Sequence, residues 1–285
     1  MADMAEKVGF VGLGNIGKPM ALHIAPIFDL MVFDIAPDAL TELENAGARI
    51  AANLAELGTQ CEFVGVCVRD DSQVESVALG TSGLLENMQP DSILSIHSTV
   101  HPRTITKIQR HARERGIHVV DAPITGGAPG ANNKTLCYMV GGEDKIIDRV
   151  QPIFETSGNR IVRAGETGKG AVAKLCNNLM TYMGFLAAVE ASLLAEKAGL
   201  DASKMHEVTE TNGNLTPQMK LILALHKAAA TNRDPVFLKN VQAFVELAEK
   251  DLGITLEYAA ELGLKLPGTD TSQKLMAQVY GLKKW

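Results

Sequence analysis

The sequence lacks the long apolar segment, the basic block and the cysteine spacing that mark several large protein classes. No 18-residue window is uninterruptedly apolar, and the most apolar stretch, Leu175 to Leu194, contains two asparagines and a glutamate, so we expect no membrane span. No basic run exceeds two residues and the net charge is −6, which argues against a nucleic-acid partner. The four cysteines have no CxxC or metal-ligand spacing, so we expect reduced thiols and no metal site.

The N-terminal segment has none of the features of a targeting sequence. Met1 to Lys7 carries two acidic residues and leads directly into an apolar run, unlike a secretory signal or an Arg-rich transit segment. The 285-residue chain is 46% hydrophobic and 21% charged, close to the globular average. These features predict a folded cytoplasmic protein of one large domain or two ordinary ones.

The first 165 residues alternate short apolar runs with amphipathic stretches. The runs are four to six residues long and are bounded by Gly, Asp or Pro, which is typical of strands buried on both faces. Their starts lie roughly 20 to 30 residues apart and leave room for crossover helices, so we expect a parallel, doubly wound, Rossmann-type α/β sheet. The runs span residues 8–11, 30–33, 63–68, 93–96, 117–120 and 136–140.

From residue 166 to the end, almost every segment has helical periodicity. Residues 171–198 form one long run that Gly199 ends as a C-cap, and Asp201 can cap the next helix. Residues 179–194 are apolar on nearly every face, so we expect this helix to be buried between domains and between subunits of a homodimer or homotetramer. The sequence therefore predicts an α/β domain over 1–165 and, joined to it by the long helix, an all-α domain over 166–285. Further helices are expected at 203–210, 218–230, 235–262 and 271–280.

A glycine-rich turn follows the first apolar run. Residues 12–17 match G-x-G-x-x-G between a strand and a helix, the arrangement that binds the pyrophosphate of a dinucleotide. A helix that begins there directs its N–H groups and its positive dipole end at the phosphates. A turn that binds nothing, and FAD or S-adenosylmethionine as the ligand, are the alternatives. We interpret as cofactor-binding Gly12, Leu13, Gly14, Asn15, Ile16 and Gly17.

Asp34 ends the second run, twenty residues after Gly14. A carboxylate at this position can accept hydrogen bonds from the ribose hydroxyls of the adenosine. It would repel a 2′-phosphate, and no arginine follows nearby, so we expect NAD rather than NADP as the cofactor. A surface-turn or helix-cap carboxylate is the alternative interpretation of Asp34.

Two further polar turns follow apolar runs, where the carboxyl edge of the sheet is expected. Ser98 and Thr99 follow the fourth run, and His97 before them is expected to be a turn residue rather than a catalyst. Thr125, Gly126 and Gly127 follow the fifth run, and their backbone N–H groups can bind a carboxylate. Ligands of open α/β sheets bind at this edge, but ordinary flexible turns are the alternative.

Lys174 and Asn178 lie four residues apart, on one face of the long helix. Partial burial of a lysine in an otherwise apolar helix lowers its pKa towards the range useful for proton transfer at neutral pH. Asn178 could orient Lys174 or hydrogen-bond a substrate. From these residues alone, a lysine that reaches solvent and a structural asparagine remain the alternative.

Five motifs together resemble the β-hydroxyacid dehydrogenases, the family of 3-hydroxyisobutyrate dehydrogenase and tartronate semialdehyde reductase. The resemblance covers about residues 7–280. The family usually has Ser where Thr125 stands, a change that keeps the hydroxyl and adds a methyl group. The motifs are the glycine turn with Met20, Ser98-Thr99, Asp121-Ala-Pro-Ile-Thr-Gly-Gly, Gly170-x-x-x-Lys174-x-x-Asn177-Asn178 and Lys250-Asp251-Leu252.

The resemblance implies an N-terminal Rossmann domain, a long interdomain helix and an all-helical C-terminal domain. It implies an NAD(P)-dependent oxidoreductase that transfers a hydride reversibly between a short hydroxy acid, a small carboxylate, and a nicotinamide cofactor. An imine reductase and a non-catalytic nucleotide-sensing module are the alternatives, but relatives of both kinds typically lack the lysine. By this resemblance Lys174 is the general acid/base assisted by Asn178, Thr125, Gly126 and Gly127 hold the substrate carboxylate, and Thr99 and Lys250 contact the cofactor.

Overall fold

The computed structural model describes residues 7–285. The chain divides into two compact units, one that ends at Lys174 and one that runs from Leu175 to Trp285. The expectation that the chain begins without a targeting segment concerns residues 1–7, and the first six of these lie outside the described residues.

Nine strands form one sheet in the described part of the first unit. The first six lie in the order β3-β2-β1-β4-β5-β6 and are parallel to one another, which is the strand order of the Rossmann fold. The expected doubly wound α/β fold is therefore confirmed. The strands are β1 (Lys7–Val11), β2 (Asp29–Phe33), β3 (Arg49–Ile50), β4 (Phe63–Val66), β5 (Ile93–Ile96), β6 (His118–Asp121), β7 (Ile124–Thr125), β8 (Leu136–Gly141) and β9 (Gly158–Gly165).

The sheet is not parallel throughout. The strand β8 runs antiparallel to β6 and β7, and β9 pairs with β8 in parallel. The expected parallel sheet therefore carries antiparallel strand pairings at this edge, which the apolar runs did not indicate. The sequence pattern also missed three strands, because β3 and β7 have only two residues each and β9 is largely exposed, with little apolar character.

Helices cover both faces of this sheet. Phe10 and Phe63 pack with α1 and α8 on one face, whereas Val64 and Val66 pack with α3 to α6 on the other. The strands are thus buried on both faces, as their apolar runs predicted. The helices of this unit are α1 (Gly17–Ile24), α2 (Thr41–Asn45), α3 (Leu54–Gln60), α4 (Asp71–Leu79), α5 (Leu84–Asn87), α6 (Pro102–Arg113), α7 (Gly127–Asn132) and α8 (Asp144–Phe154).

The second unit is helical, and the long helix α9 (Lys169–Lys197) enters it from the first. As expected, Gly199 follows α9 with a φ of +73°, and the Asp201 side chain accepts a hydrogen bond from Ser203 N at 2.8 Å to cap the next helix. The run 271–280 is not one helix, because it divides at Leu275. The remaining helices are α10 (Ala202–Thr211), α11 (Pro217–Thr231), α12 (Pro235–Glu261), α13 (Pro267–Lys274) and α14 (Met276–Val279).

The single chain buries helix α9 only in part. Met180 is 75% exposed and Leu194 is 72% exposed, so the expected burial of this helix between subunits stays a prediction. By length and composition α9 could cross a membrane, since an 18-residue window has a mean hydropathy of 1.3 and only 22% of it is buried. One such helix is weak evidence for a membrane span, because the core helix of a soluble protein passes the same test, so the absence of a span stays an expectation.

Candidate active site

The glycine-rich turn connects β1 to α1. Gly12 has a φ of +92°, and a Cβ atom there would collide with the backbone oxygen of Cys67. A Cβ atom on Gly17 would collide with the backbone oxygen of Gly12. By contrast, no described atom lies within 4 Å of a Cβ built on Gly14, and Asn15 beside it is also exposed. The turn is therefore tightly packed at both ends and open in the middle, where a phosphate could approach the start of α1.

Asp34 lies against this turn at the end of β2. Its Oδ2 accepts a hydrogen bond from the Leu13 backbone N–H at 2.6 Å, and its Oδ1 accepts one from Ala36 N at 2.7 Å. The Leu13 side chain is 3% exposed, so packing holds the donor in place. A carboxylate has about four lone-pair sites, so Asp34 retains capacity to accept from ribose hydroxyls.

The ends of β4 and β5 are tied together beside the turn. Ser98 is buried, and its hydroxyl accepts a hydrogen bond from Val68 N at 2.9 Å. Thr99 follows and is half-buried. Thr99 therefore lies next to Ser98, whose hydrogen bond to Val68 N holds the segment after β5 in place.

His97 is a core residue, and the expectation of a turn residue is wrong. It is 4% exposed and stacks on Phe10, because the side chain of the residue after β5 points into the core instead of out of a turn. Its Nδ1 lies 2.9 Å from the carbonyl oxygen of Ala122, which it can contact as a donor. Burial disfavours the charged ring and lowers the pKa of His97 to about 4, so the imidazole is neutral at physiological pH.

The second turn connects β7 to α7. Thr125 ends β7 and is half-buried, and the next two residues, Gly126 and Gly127, are exposed and have positive φ angles of +127° and +61°. Helices α1 and α7 are in contact, since the His23 Nε2 atom of α1 lies 3.1 Å from the carbonyl oxygen of Ala131 in α7. The two glycine turns therefore begin neighbouring helices.

Asp121 ends β6 and contacts the beginning of α9. The residue is completely buried. One carboxylate oxygen, Oδ1, accepts a hydrogen bond from Gly168 N at 2.6 Å, and Oδ2 accepts one from Ala171 N at 2.7 Å. Burial raises the pKa of Asp121 to about 7, although the backbone N–H groups around it oppose this shift. Lys174, half-buried, follows Ala171 by three residues on the same helix.

The second unit contains a polar cluster around Asp251, which is 2% exposed. The side-chain amide of Asn178 donates to Asp251 Oδ2 at 2.7 Å, and the Tyr182 hydroxyl donates to the same oxygen at 3.3 Å. The Lys250 ammonium lies 2.8 Å from Asp251 Oδ1. Burial, followed by the neighbouring Asp251 carboxylate, raises the pKa of Tyr182 well above its usual value. The cluster thus links α9 to α12.

The expected site residues are therefore distributed over both units. The first unit contains the glycine turn, Asp34, Thr99, the turn 125–127 and Lys174, whereas the second contains Asn178 and Lys250. Because the carboxyl ends of parallel strands meet at one edge, the residues that follow β1, β2 and β5 share that edge. Sequence reasoning gave no role to Asp121 or Asp251, although an acid within a motif and an acid in an apolar helix were visible signals.

Comparisons with known proteins agree with this arrangement. Residues 7–165 match the family model described as the NAD-binding domain of 6-phosphogluconate dehydrogenase. Residues 168–283 match the model described as the NAD-binding domain of NADP-dependent 3-hydroxyisobutyrate dehydrogenase. The second match contains the whole of α9.

Several dehydrogenases are similar to the chain along most of its length. The 3-hydroxyisobutyrate dehydrogenase of Pseudomonas aeruginosa is 32% identical over 265 residues, covering 91% of this chain and 87% of its own. The 2-hydroxy-3-oxopropionate reductase of Escherichia coli is 32% identical over 272 residues, covering 94% and 89%. The solved structure of Mycobacterium tuberculosis 3-hydroxyisobutyrate dehydrogenase with L-serine has a TM-score of 0.81 at 26% identity, covering 96% and 94%.

Imine reductases share the fold alone. The enzyme of Streptomyces aurantiacus is 17% identical, with a TM-score of 0.66 over 95% of this chain and 93% of its own. The family models and the full-length relatives instead agree on hydroxyacid dehydrogenases. The chain therefore belongs to the β-hydroxyacid dehydrogenase family, of the 3-hydroxyisobutyrate dehydrogenase type, and is an NAD(P)-dependent oxidoreductase.

Proposed function

We propose that the protein oxidises a short hydroxy acid to its semialdehyde with NAD, reversibly, and that Lys174 is the general acid/base. The observation that carries this proposal is the position of Lys174. It stands in the second turn of α9, and the first turn of that helix is hydrogen-bonded to Asp121, four residues before the turn that begins at Thr125. The proton-transfer group and the turn proposed for the carboxylate thus belong to connected segments of one unit.

The residues of the glycine turn fit a dinucleotide, with NAD preferred over NADP. We propose that Gly12, Leu13, Gly14, Asn15, Ile16 and Gly17 hold the pyrophosphate, because Gly14 leaves open space in front of the start of α1. Asp34 is held against the turn by the Leu13 N–H, where its negative charge would repel a 2′-phosphate. Thr99 and Lys250 are proposed as further cofactor contacts.

Lys174 would take the hydroxyl proton during oxidation, directly or through one water. The bound cofactor supplies the hydride acceptor, so the substrate loses one hydride and one proton and becomes the semialdehyde. In reduction the Lys174 ammonium polarises the carbonyl and returns the proton to the alkoxide. Asn178, on the same helical face, assists Lys174, and its amide is held by Asp251.

The turn from Thr125 to Gly127 is proposed to hold the carboxylate of the substrate. Both glycines are exposed and have positive φ angles where β7 leads into α7, and the backbone N–H groups of such turns can bind an anion. Holding the carboxylate fixes the position of the reacting carbon, which is a contribution of orientation rather than of proton transfer. A small carboxylate is therefore the substrate class.

We also propose a cytoplasmic homo-oligomer, a dimer or a tetramer. The exposed apolar side chains of α9, Met180 and Leu194 among them, support this proposal, since such surface is costly to leave in water. Residues 1–165 are proposed as the cofactor domain and residues 166–285 as the substrate and oligomerisation domain. Light scattering at micromolar concentration tests the assembly, and a single species near 30.5 kDa would refute it.

Turnover with a panel of small acids tests the proposed reaction. The panel contains 3-hydroxyisobutyrate, 4-hydroxybutyrate, glycerate and L-serine, each with NAD and with NADP, and a cyclic imine with NADH and with NADPH. Formation or consumption of the reduced cofactor is followed by absorbance. We expect measurable turnover with at least one member. Tight NAD binding with no turnover on any of them would indicate a nucleotide sensor, and reduction of a cyclic imine alone would indicate an imine reductase.

A further inference from the structure

We propose that Asp121 is a positioning residue that sets the place of Lys174 relative to the turn at Thr125. The inference rests on the proposed function, since it assigns Asp121 a role through Lys174. One carboxylate oxygen of Asp121 accepts a hydrogen bond at 2.6 Å from Gly168 N, just before α9. The other accepts one at 2.7 Å from Ala171 N, in the first turn of α9. Hydrogen bonds from backbone N–H groups to an ionised carboxylate are stronger than those between neutral groups.

The other side of this contact is fixed by the sheet. Asp121 pairs with Ile96 of β5 and with Gly141 of β8, and Ala122 N donates to the carbonyl oxygen of Ile96 at 2.8 Å. Thr125 follows Asp121 by only four residues, through Ala122-Pro123-Ile124. One side chain therefore ties the helix that bears Lys174 to the segment that leads into the proposed substrate turn.

The contact between Asp121 and the start of α9 leaves no room for side chains at Gly141 and Gly170. A Cβ atom on Gly141 would lie 2.5 Å from Asp121 Oδ1, and a Cβ atom on Gly170 would lie 2.9 Å from Asp121 Oδ2. The same Cβ on Gly170 would be 2.6 Å from the Asp121 backbone oxygen. The start of α9 is thus in direct contact with the end of β6. A longer or shorter side chain at residue 121 would change the position of the start of α9.

The groups that face Asp121 are backbone groups. The N–H groups of Gly168, Gly170 and Ala171 favour its charged form, while Gly141 covers it from β8. The titratable side chains in the adjoining segment are those of Glu166, Lys169 and Lys174. An ionised Asp121 places a negative charge at the first turn of α9, the helix that bears Lys174. Asparagine could preserve part of the hydrogen bonding but not this charge.

The test is Asp121→Asn in the full-length protein. Misplacing Lys174 should lower kcat for hydroxy-acid oxidation about tenfold or more, while the Kd for NAD stays within about twofold. The pH at which the oxidation rate rises should move down, because the ammonium of Lys174 loses a neighbouring negative charge. Hydrogen exchange at the amides of Gly168 and Ala171 should be about tenfold faster, since their acceptors are weakened.

Asp201→Ala is the matched control, because it also removes a carboxylate that accepts a hydrogen bond from a backbone N–H at the start of a helix, here α10. It should change neither kcat nor the pH profile. An Asp121→Asn variant with wild-type kcat, or with a lowered kcat and an unchanged pH profile, would overturn the positioning role. If Lys174→Ala, assayed in parallel, keeps its activity, the proposed function fails instead. Hydrogen exchange at the amides of Gly168 and Ala171 still shows in that case whether Asp121 holds the start of α9.

The wild-type protein supplies the second measurement should Asp121→Asn not fold. The protection of the Gly168 and Ala171 amides, corrected for intrinsic exchange, should rise with pH through a midpoint near the pKa of Asp121, about 7. The ionised carboxylate is the stronger acceptor, which gives this direction. Protection that stays constant from pH 5 to pH 8 would contradict the inference.

Discussion

The side-chain amide of Asn178 is held at both ends, and Asp251 is its principal partner. Asn178 Nδ2 donates to Asp251 Oδ2 at 2.7 Å, and Asn178 Oδ1 accepts from the Asn177 side chain at 3.2 Å. An ionised carboxylate is an acceptor only, so the NH2 group of Asn178 must be the group that faces it. The orientation of this amide is thus determined by a residue that lies 73 positions away in the sequence.

Removing the Asp251 carboxylate should destabilise the second unit. Asp251→Ala leaves the buried Asn178 amide and the Tyr182 hydroxyl without their acceptor, and we expect a loss of about 2 to 3 kcal/mol in the free energy of unfolding. Urea denaturation followed by circular dichroism measures it. The control is Asp270→Ala, which removes an exposed i,i+4 ion pair with Lys274 and should cost about 0.5 kcal/mol or less. Equal losses in the two variants would contradict the prediction.

The core strands could be predicted from the sequence, but the contacts that fix the site could not. The six apolar runs correspond to β1, β2, β4, β5, β6 and β8, because a strand buried on both faces is apolar at every position. Asp121 and the start of α9 are 47 residues apart, so no local pattern reports their contact. Likewise, the exposure of Met180 depends on what covers α9, which composition does not determine.

The choice between the two cofactors should depend on Asp34. Asp34→Asn keeps one acceptor for the Leu13 N–H but removes the charge that would repel a 2′-phosphate. We expect the wild type to bind NADH at least about tenfold more tightly than NADPH, equivalent to about 1.4 kcal/mol, and the variant to narrow this ratio. Fluorescence titration with both cofactors measures it.

Asp38→Asn is the control for that change, since it alters the net charge equally at an exposed carboxylate four residues further on. The ratio of its affinities for NADH and NADPH should match that of the wild type. A wild-type protein that prefers NADPH tenfold would exclude the role proposed for Asp34.

His97 should make the protein sensitive to acid. Its pKa is lowered to about 4 by burial, below its ordinary value of 6.5. Between these two values the unfolded chain binds a proton at His97 and the folded protein does not. The contribution of His97 to the free energy of unfolding is therefore complete above pH 6.5 and is lost as the pH falls from 6.5 towards 4. The shift corresponds to about 3 kcal/mol.

Urea denaturation between pH 4.5 and pH 7 tests this with His97→Gln, which can still donate to the Ala122 carbonyl. The free energy of unfolding of this variant should fall less with decreasing pH than that of the wild type. His111→Gln, at a half-buried histidine of α6, is the control for the replacement of a histidine by glutamine. Parallel curves for wild type and His97→Gln would mean that His97 does not titrate in this way.

Lys174 decides the proposed mechanism. Lys174→Ala should lower kcat about a hundredfold or more, the usual contribution of a general acid/base, and the rising limb of the pH profile for oxidation should disappear. Lys174→Arg should not restore activity, because a guanidinium stays protonated and cannot accept the hydroxyl proton. The Kd for NAD should change little, since the glycine turn and Asp34 are proposed to hold the nucleotide.

Lys169→Ala is the matched control, since it removes a lysine from the first residue of the same helix, five positions before Lys174. It should keep its rate and its pH profile. If Lys174→Ala retains most of the activity on the best substrate of the panel, then another group moves the proton. Lys174 would in that case be a helix-surface lysine whose ammonium reaches solvent along its own aliphatic chain.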